Sequence, residues 1–398
     1  MSIGVRCGGI IGAAALALLS CAPGAQARLR WYECRDVEAD CAMLQVPLDR
    51  SGRVPGDVRV RMARFSAPRG APVLLYLSGG PGGGGVREFA SVRPQVRALG
   101  RRYQLVSFDQ RGTGHSGLLR CPALELDPRL RATDAGGACA KRLGKRRRLY
   151  TTPDSVADME ALRKALGASK LTLFGISYGT KLAIAYARAH PDRVQRMVLD
   201  SVLDPDDTDA FGLEPYRAMG QTLAALCPDR CRGVSSDPVG DLARLAERLQ
   251  RAPLRAPIPS RRGRRVRTLT ALALSDLMFD ADYNPPLRAG IPAAVRAALE
   301  HRDAAPLLRL AVAADRYSAL PSAREFSAAR YAAVCEETPL PWPSGTPFEQ
   351  REGYAGARAN ELGPRAFYPF DYTTARADEI NLCLQWPEAG ELAARAVA

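Results

Sequence analysis

Polar and apolar residues alternate from Arg59 to Phe65, the period of an edge strand. The next apolar run, Ala71 to Leu77, does not alternate and predicts a strand buried on both faces that ends in a glycine-rich loop. Tyr103 to Phe108 repeats the pattern and closes on Asp109-Gln110-Arg111-Gly112. Ser155 to Leu166 has helical periodicity and is stopped by Gly167. Leu171 to Phe174 predicts a short buried strand, Thr180 to Ala189 a helix of small residues, and Val194 to Leu199 a further strand closing at Asp200. Apolar strands alternating with helices predict an α/β fold, a mostly parallel sheet covered on both faces. From about residue 206 to 370 the pattern changes to helical segments with proline-rich breaks and no convincing strand. The chain thus divides into a core over 28–205, a helical insertion over 206–370 and a return toward the core over 371–398.

Composition narrows the class. The 398 residues are 46% hydrophobic and 25% charged, which excludes a disordered or collagen-like chain. No apolar run reaches the roughly 18 residues of a membrane-spanning helix. The net charge of +14 comes mostly from arginine. Its two dense clusters, Lys141 to Arg148 and Ser260 to Arg267, lack interleaved aromatics, so no specific nucleic-acid binding is expected. Residues 1–27 read as an export signal: Arg6, an apolar run from Gly8 to Leu19, and an Ala25-Gln26-Ala27 cleavage site. The alternative is a lipoprotein signal ending at Cys21, whose lipidation would anchor the chain to a membrane. Export implies an oxidising compartment, and the eight cysteines beyond the signal suit it. Proximity along the chain pairs Cys34 with Cys41, Cys121 with Cys139, Cys227 with Cys231, and Cys335 with Cys383. No C-x2-C occurs and no histidine stands at ligand spacing, so neither a metal nor another cofactor is expected.

Gly175-Ile176-Ser177-Tyr178-Gly179 is a G-x-S-x-G motif between a predicted strand and a predicted helix. That context suits a nucleophile elbow, in which a tight turn lifts the serine above the sheet at a helix N-terminus. Acyl transfer also needs an oxyanion hole. The Tyr178 N–H supplies one donor, and a glycine of Ser78-Gly79-Gly80-Pro81-Gly82-Gly83, near Gly80 and Gly82, the second. No G-K-[ST] or dinucleotide fingerprint follows that loop, which argues against a phosphate cradle.

With these motifs the sequence resembles the secreted prolyl iminopeptidase and tripeptidyl aminopeptidase group of α/β-hydrolases. Gly79-Gly80-Pro81-Gly82 matches the group's oxyanion loop, Asp109 to Ser116 its D-Q-R-G-x-G-x-S segment, and Gly175 to Thr180 its elbow. Trp31, Cys34, Cys41 and Val46-Pro47-Leu48-Asp49 are similar to its mature N-terminus, and Cys383-Leu384-Gln385-Trp386-Pro387 to the far end of its cap. The resemblance implies a serine exopeptidase acting on a peptide or small acyl substrate through an acyl-enzyme. It also marks Glu336, directly after Cys335, as a candidate for holding the substrate's ammonium. Glu214, Asp280, Asp282 and Glu337 are further carboxylates in the cap, and Tyr283, Tyr331 and Trp342 are candidates to line an apolar pocket.

The group's acid and base lie after the cap, in a Gly-x-x-Asp-x-x-Thr-Pro-like segment and a Gly-His. Neither occurs after Trp386-Pro387, so the expectation is a C-terminally truncated member lacking its last core strands. Three histidines remain: His115, His190 and His301. His190 closes the helix after Ser177, about 20 Å away. His301 follows an amphipathic helix, and His115 lies in the loop after Arg111. His115, Asp200 and Asp204 are weak stand-ins for the base and acid. Without a base Ser177 remains a weak nucleophile. An esterase or lipase on the same fold, or a non-catalytic remnant or binding protein, are the alternatives.

Overall fold

The computed structural model of the chain describes residues 29–387, apart from 67, 122–131, 207–208, 228–230, 232, 261–262, 283, 319–327 and 376–378. The export signal, Cys21, Tyr283 and the Tyr331 side chain lie outside the described residues.

A seven-stranded sheet carries the core, in the order β1-β2-β3-β5-β4-β6-β7. Its parallel half comprises β4 (Val73–Leu77), β5 (Gln104–Phe108), β6 (Leu171–Ile176) and β7 (Val194–Asp200). An antiparallel ribbon of β1 (Tyr32–Glu33), β2 (Asp40–Pro47) and β3 (Asp57–Ser66) extends it. All five residues of β4 are buried, as its unbroken apolar run predicts. Val73, Leu75 and Leu77 pack with helices α3 (Thr152–Ala165) and α4 (Tyr178–Ala189), while Leu74 and Tyr76 pack with Phe89 of α1 (Gly85–Val92). β3 is not the edge strand that its alternation suggested. It pairs with β2 on one side and β5 on the other. Its period of two arises because Val58, Val60 and Met62 face the core while Arg59 on the opposite face is exposed. Among the described residues the outermost strand at the other side is β7, where Met197 and Val198 are 41% and 52% exposed.

A buried arginine ties the sheet to its covering. Arg111, in the loop after β5, donates from Nε and Nη2 to the two Asp158 carboxylate oxygens of α3, both at 2.7 Å. Its Nη1 donates to the carbonyls of Leu48 and Leu149, both at 2.9 Å. The α3–α4 contact carries a second ion cluster. Glu160 accepts from both prongs of Arg163 and from the Tyr186 hydroxyl.

The insertion has its own apolar core. It is built from α5 (Leu213–Leu226), α6 (Pro238–Arg251), α7 (Ala271–Asp282), α8 (Pro285–His301) and α9 (Ala305–Ser318). It is not purely helical, in contrast to the sequence reading. β8 (Leu254–Ser260) and β9 (Gly263–Leu269) form an antiparallel hairpin. Leu254, Ala256 and Ile258 point inward, while Arg255, Pro257 and Pro259 alternate outward. Prolines are tolerated at the border of a two-stranded sheet, so the proline-rich break is itself a strand. A third cluster packs Cys121, together with Cys139 and Ala140 of α2 (Ala132–Leu143), against α10 (Ala329–Glu337), Ile380, Leu384 and Trp386. All four cysteine pairs expected from proximity form disulfides.

Arg111→Lys keeps the charge but loses the two-pronged contact, and should lower the unfolding free energy by about 2–4 kcal/mol in urea titrations. Arg50→Ala removes only a half-buried partner of the same Asp158 and should cost under about 1 kcal/mol.

Arg163 first, and then Tyr186, hold the Glu160 carboxyl down from its ordinary 4.5 to about 2. A lowered carboxyl stabilises the fold fully above its ordinary value, and the gain disappears as pH falls from there toward 2. Glu160→Gln should therefore flatten the loss of stability between pH 4.5 and 2, followed by urea unfolding at each pH.

Candidate active site

β6 ends at Ile176, α4 begins at Tyr178, and Ser177 bridges them with φ 52° and ψ −121°. A non-glycine residue held there stores about 1–3 kcal/mol of strain, so its surroundings must impose it. The Ser177 N–H donates to Asp200 O at 2.9 Å. Its carbonyl accepts from the Thr180 N–H at 2.8 Å and the Thr180 hydroxyl at 2.6 Å. The Leu203 N–H donates back to Thr180 Oγ1 at 2.9 Å. The motif's two glycines serve a different need. A Cβ on Gly175 would lie 2.4 Å from Gly179 O, and one on Gly179 would lie 2.1 Å from Leu77 O. They are required for room, while the unusual backbone falls on the serine itself.

The glycine-rich loop after β4 meets this turn. A Cβ on Gly79 would stand 3.3 Å from Ser177 Cβ and 3.9 Å from Ser177 Oγ. Gly80 and Gly82 have φ of 116° and 102°, a region that favours glycine. Glu88 of α1 braces the loop. Its Oε1 accepts from the Gly79 N–H at 3.2 Å and from the Tyr76 hydroxyl at 2.7 Å. The Gly79 N–H is thus engaged by Glu88, while the N–H of Tyr178 opens α4 directly after Ser177.

The segment after β5 acts as a buckle. Asp109 is buried, and its Oδ1 and Oδ2 accept from the Val86 N–H at 3.0 Å and the His115 N–H at 2.9 Å. Burial pushes its carboxyl up, and these N–H donors oppose the shift. Gln110 Nε2 donates to Ser78 Oγ at 3.4 Å, and Ser116 Oγ donates to Asp109 O at 2.7 Å. One short segment thereby holds the start of α1, the oxyanion loop and α3.

The expected acid and base residues are dispersed. His115 is 61% exposed, and its Nε2 lies 3.6 Å from Asp36 Oδ2. His190 follows α4 and packs its ring on Tyr186 at 5.0 Å. His301 ends α8 at the surface. Among the described residues, none of these imidazoles is hydrogen-bonded to Ser177. Asp200 is at the elbow through its carbonyl, while its carboxylate accepts from the Ser201 hydroxyl at 3.0 Å. Asp204 caps a turn by accepting from the Asp206 N–H at 2.9 Å.

Glu336 does not stand open to an incoming ammonium. Its side chain is 2% exposed, sits 2.8 Å from Arg147 Nε and accepts from Trp386 Nε1 at 2.8 Å. The neighbouring Glu337 is the one tied to the elbow. It accepts from the Thr152 N–H and hydroxyl and pairs with Lys181 Nζ at 2.9 Å, and Thr152 Oγ1 lies 2.7 Å from the buried Tyr178 hydroxyl. Trp342 is buried in the third cluster. Sequence reasoning singled out neither Glu88 nor Thr152. It placed Gly79, Gln110 and Thr180 within matched motifs but gave them no individual role. Among the described residues no group of three or more histidine, cysteine or carboxylate side chains is placed to hold a metal ion.

A serine in a strained strand–turn–helix, facing a glycine-rich loop at the ends of parallel strands, defines an α/β-hydrolase. Residues 72–237 match the α/β hydrolase fold family. The tripeptidyl aminopeptidase of Streptomyces coelicolor is 32% identical over 221 residues, 48% of this chain and 40% of that protein. The serine protease Hip1 of Mycobacterium tuberculosis is 31% identical over 252 residues, 53% of this chain and 48% of that protein. The proline iminopeptidase of Xylella fastidiosa is 36% identical over 138 residues, 34% of this chain and 33% of that protein. Residues 72–237 thus carry the α/β-hydrolase fold, and the chain is similar over that region to proteins named as peptidases. Its matches span a third to about half the length of each.

Gly179→Ala should lower stability by about 2–4 kcal/mol or prevent folding, because the methyl meets backbone rather than a movable side chain. Gly353→Ala, on a helix with open space around it, should raise stability by about 0.5–1 kcal/mol. Thermal and urea unfolding of the two variants read the contrast.

Proposed function

We propose that this chain carries the nucleophile and oxyanion half of an exported serine exopeptidase, releasing N-terminal amino acids or short peptides through an acyl-enzyme on Ser177. The observation that carries the reading is the Ser177 backbone at φ 52°, pressed against Gly79 of the oxyanion loop. In this reading Ser177 Oγ attacks the scissile carbonyl. The developing oxyanion is met by the N–H groups of Tyr178 and of Gly80 or Gly82. The amine of the remaining peptide leaves, and water later releases the acyl group. The N-terminal signal pattern and the four disulfides support export, with lipid anchoring at Cys21 as the alternative fate. The peptidase names of the relatives support a peptide substrate.

One observation favours a second reading, a non-catalytic hydrolase fold. Attack by Ser177 needs a proton acceptor within about 3 Å of its hydroxyl. His115, His190 and His301 are placed instead against Asp36, against Tyr186 and at the surface. An oxyanion hole acting alone would leave only about 10³–10⁴-fold acceleration over water.

A fluorophosphonate probe on the full chain separates the two. The exopeptidase reading expects labelling that Ser177→Ala abolishes, together with cleavage of aminoacyl- or tripeptidyl-arylamides. Folded protein that stays unlabelled favours the non-catalytic reading.

A further inference from the structure

A cleft of about 740 Å³ opens on the outer face of β2 and β3, between them, the 115–117 loop and residues 146–150. It is separate from the elbow. β3 and β6 are three strand spacings apart in the sheet, about 15 Å. The floor is apolar, made by the Cys34–Cys41 disulfide and Met43, with Tyr32 and Tyr150 as aromatic walls.

The charge in this cleft is unbalanced. Its two carboxylates are already engaged. Asp36 takes both prongs of the buried Arg61, and Asp57 accepts from Gln45 Nε2 at 2.7 Å. Arg35, Arg59 and Arg146 also line the cleft. These three are exposed, and among the described residues none has a hydrogen-bonded or ion-paired partner. Several exposed arginines elsewhere do find carboxylates: Arg188 pairs with Asp206, Arg251 with Glu247 and Arg358 with Glu361. Asp57 lies two residues from Arg59 and still leaves it unpaired. Three free guanidinium groups over an apolar, aromatic-walled floor match one chemistry, an anion with several acceptor oxygens on a flat apolar stem. Guanidinium forks suit phosphate oxygens best, because they donate two parallel hydrogen bonds to them.

We propose that this cleft is a second binding site, for a phosphate monoester carried on an aromatic or aliphatic stem. The guanidinium groups of Arg35, Arg59 and Arg146 hold the phosphate, and the stem lies over the disulfide and Tyr150. The site stands apart from the peptidase reading, since none of its residues takes part in the chemistry at Ser177. Its ligand is either a soluble phosphate ester or the headgroup of an anionic lipid.

Calorimetric titration of the full chain with phenyl phosphate at low ionic strength tests it. One saturable site per chain is expected. Arg59→Ala with Arg146→Ala should weaken it about tenfold or more. Arg196→Ala with Arg265→Ala removes the same charge from exposed positions outside the cleft and should change affinity by less than about twofold. Circular dichroism melts confirm that both double variants fold. Phosphatidylcholine vesicles doped with phosphatidic acid identify the source. Binding to them that phenyl phosphate displaces points to a lipid headgroup, and phenyl phosphate binding without vesicle binding points to a soluble ester. Absence of saturable phenyl phosphate binding, or equal weakening in both double variants, overturns the proposal.

Discussion

The first turn of α4 sits so close to the end of β4 that no side chain fits between them. A methyl group on Gly179 would lie 2.1 Å from the Leu77 carbonyl, and one on Gly175 would strike Gly179 itself. That contact draws the helix onto the central strand and leaves the chain one residue in which to reverse direction. Ser177 is that residue, and its positive φ is the consequence. The same contact brings the loop leaving β4 against the serine, so Ser177 and the glycine-rich loop are positioned by one steric fact. The hydrogen bonds around it keep the strain from relaxing. Asp200, Thr180 and Leu203 grip the turn from one side, and Glu88 holds Gly79 from the other.

The supporting charges follow a common logic. Asp109 and Arg111 are buried with their oxygens and nitrogens matched to partners. Such groups contribute little net stability compared with apolar replacements, but each is costly to leave without its partner. What they supply is position. Arg111 fixes the loop to α3, and Asp109 fixes the first turn of α1, from which Glu88 reaches the oxyanion loop. Glu337 extends the frame to α10 by joining Thr152 and Lys181 beside the buried Tyr178 phenol.

The β7 side of the site is open by contrast. Among the described residues β7 is the outermost strand, and Met197, Val198, Val202 and Leu203 are all exposed close to where Asp200 meets the elbow. The described residues bring Ser177 against the glycine-rich loop after β4, while the three imidazoles face Asp36, pack on Tyr186 and end α8. The strained serine turn and the glycine loop beside it are built locally, within a single β-α-β unit and its neighbouring strand. The direction in which a histidine or carboxylate turns depends instead on what packs across from it.

How much of this was legible follows from how far each feature depends on distant residues. The strands, the helices around the elbow, the G-x-S-x-G turn and the cysteine pairs are written in the sequence because periodicity, backbone sterics and short loop closure act locally. The hairpin in the insertion escaped notice because its strand pattern is interrupted by Pro257 and Pro259, which read as breaks until β9 is seen beside β8. The destination of each charge was not legible at all. Glu336 and Glu337 are adjacent and chemically alike, yet one is buried on Arg147 and Trp386 and the other braces Thr152 and Lys181. His115 belongs to the right loop, but its ring turns to Asp36. The sequence by itself determined that a strained serine would stand at the head of a helix beside a glycine loop. Only the tertiary structure decided which carboxylates and imidazoles would reach it, because a side chain's partner is set by whatever distant strand or helix packs across from it.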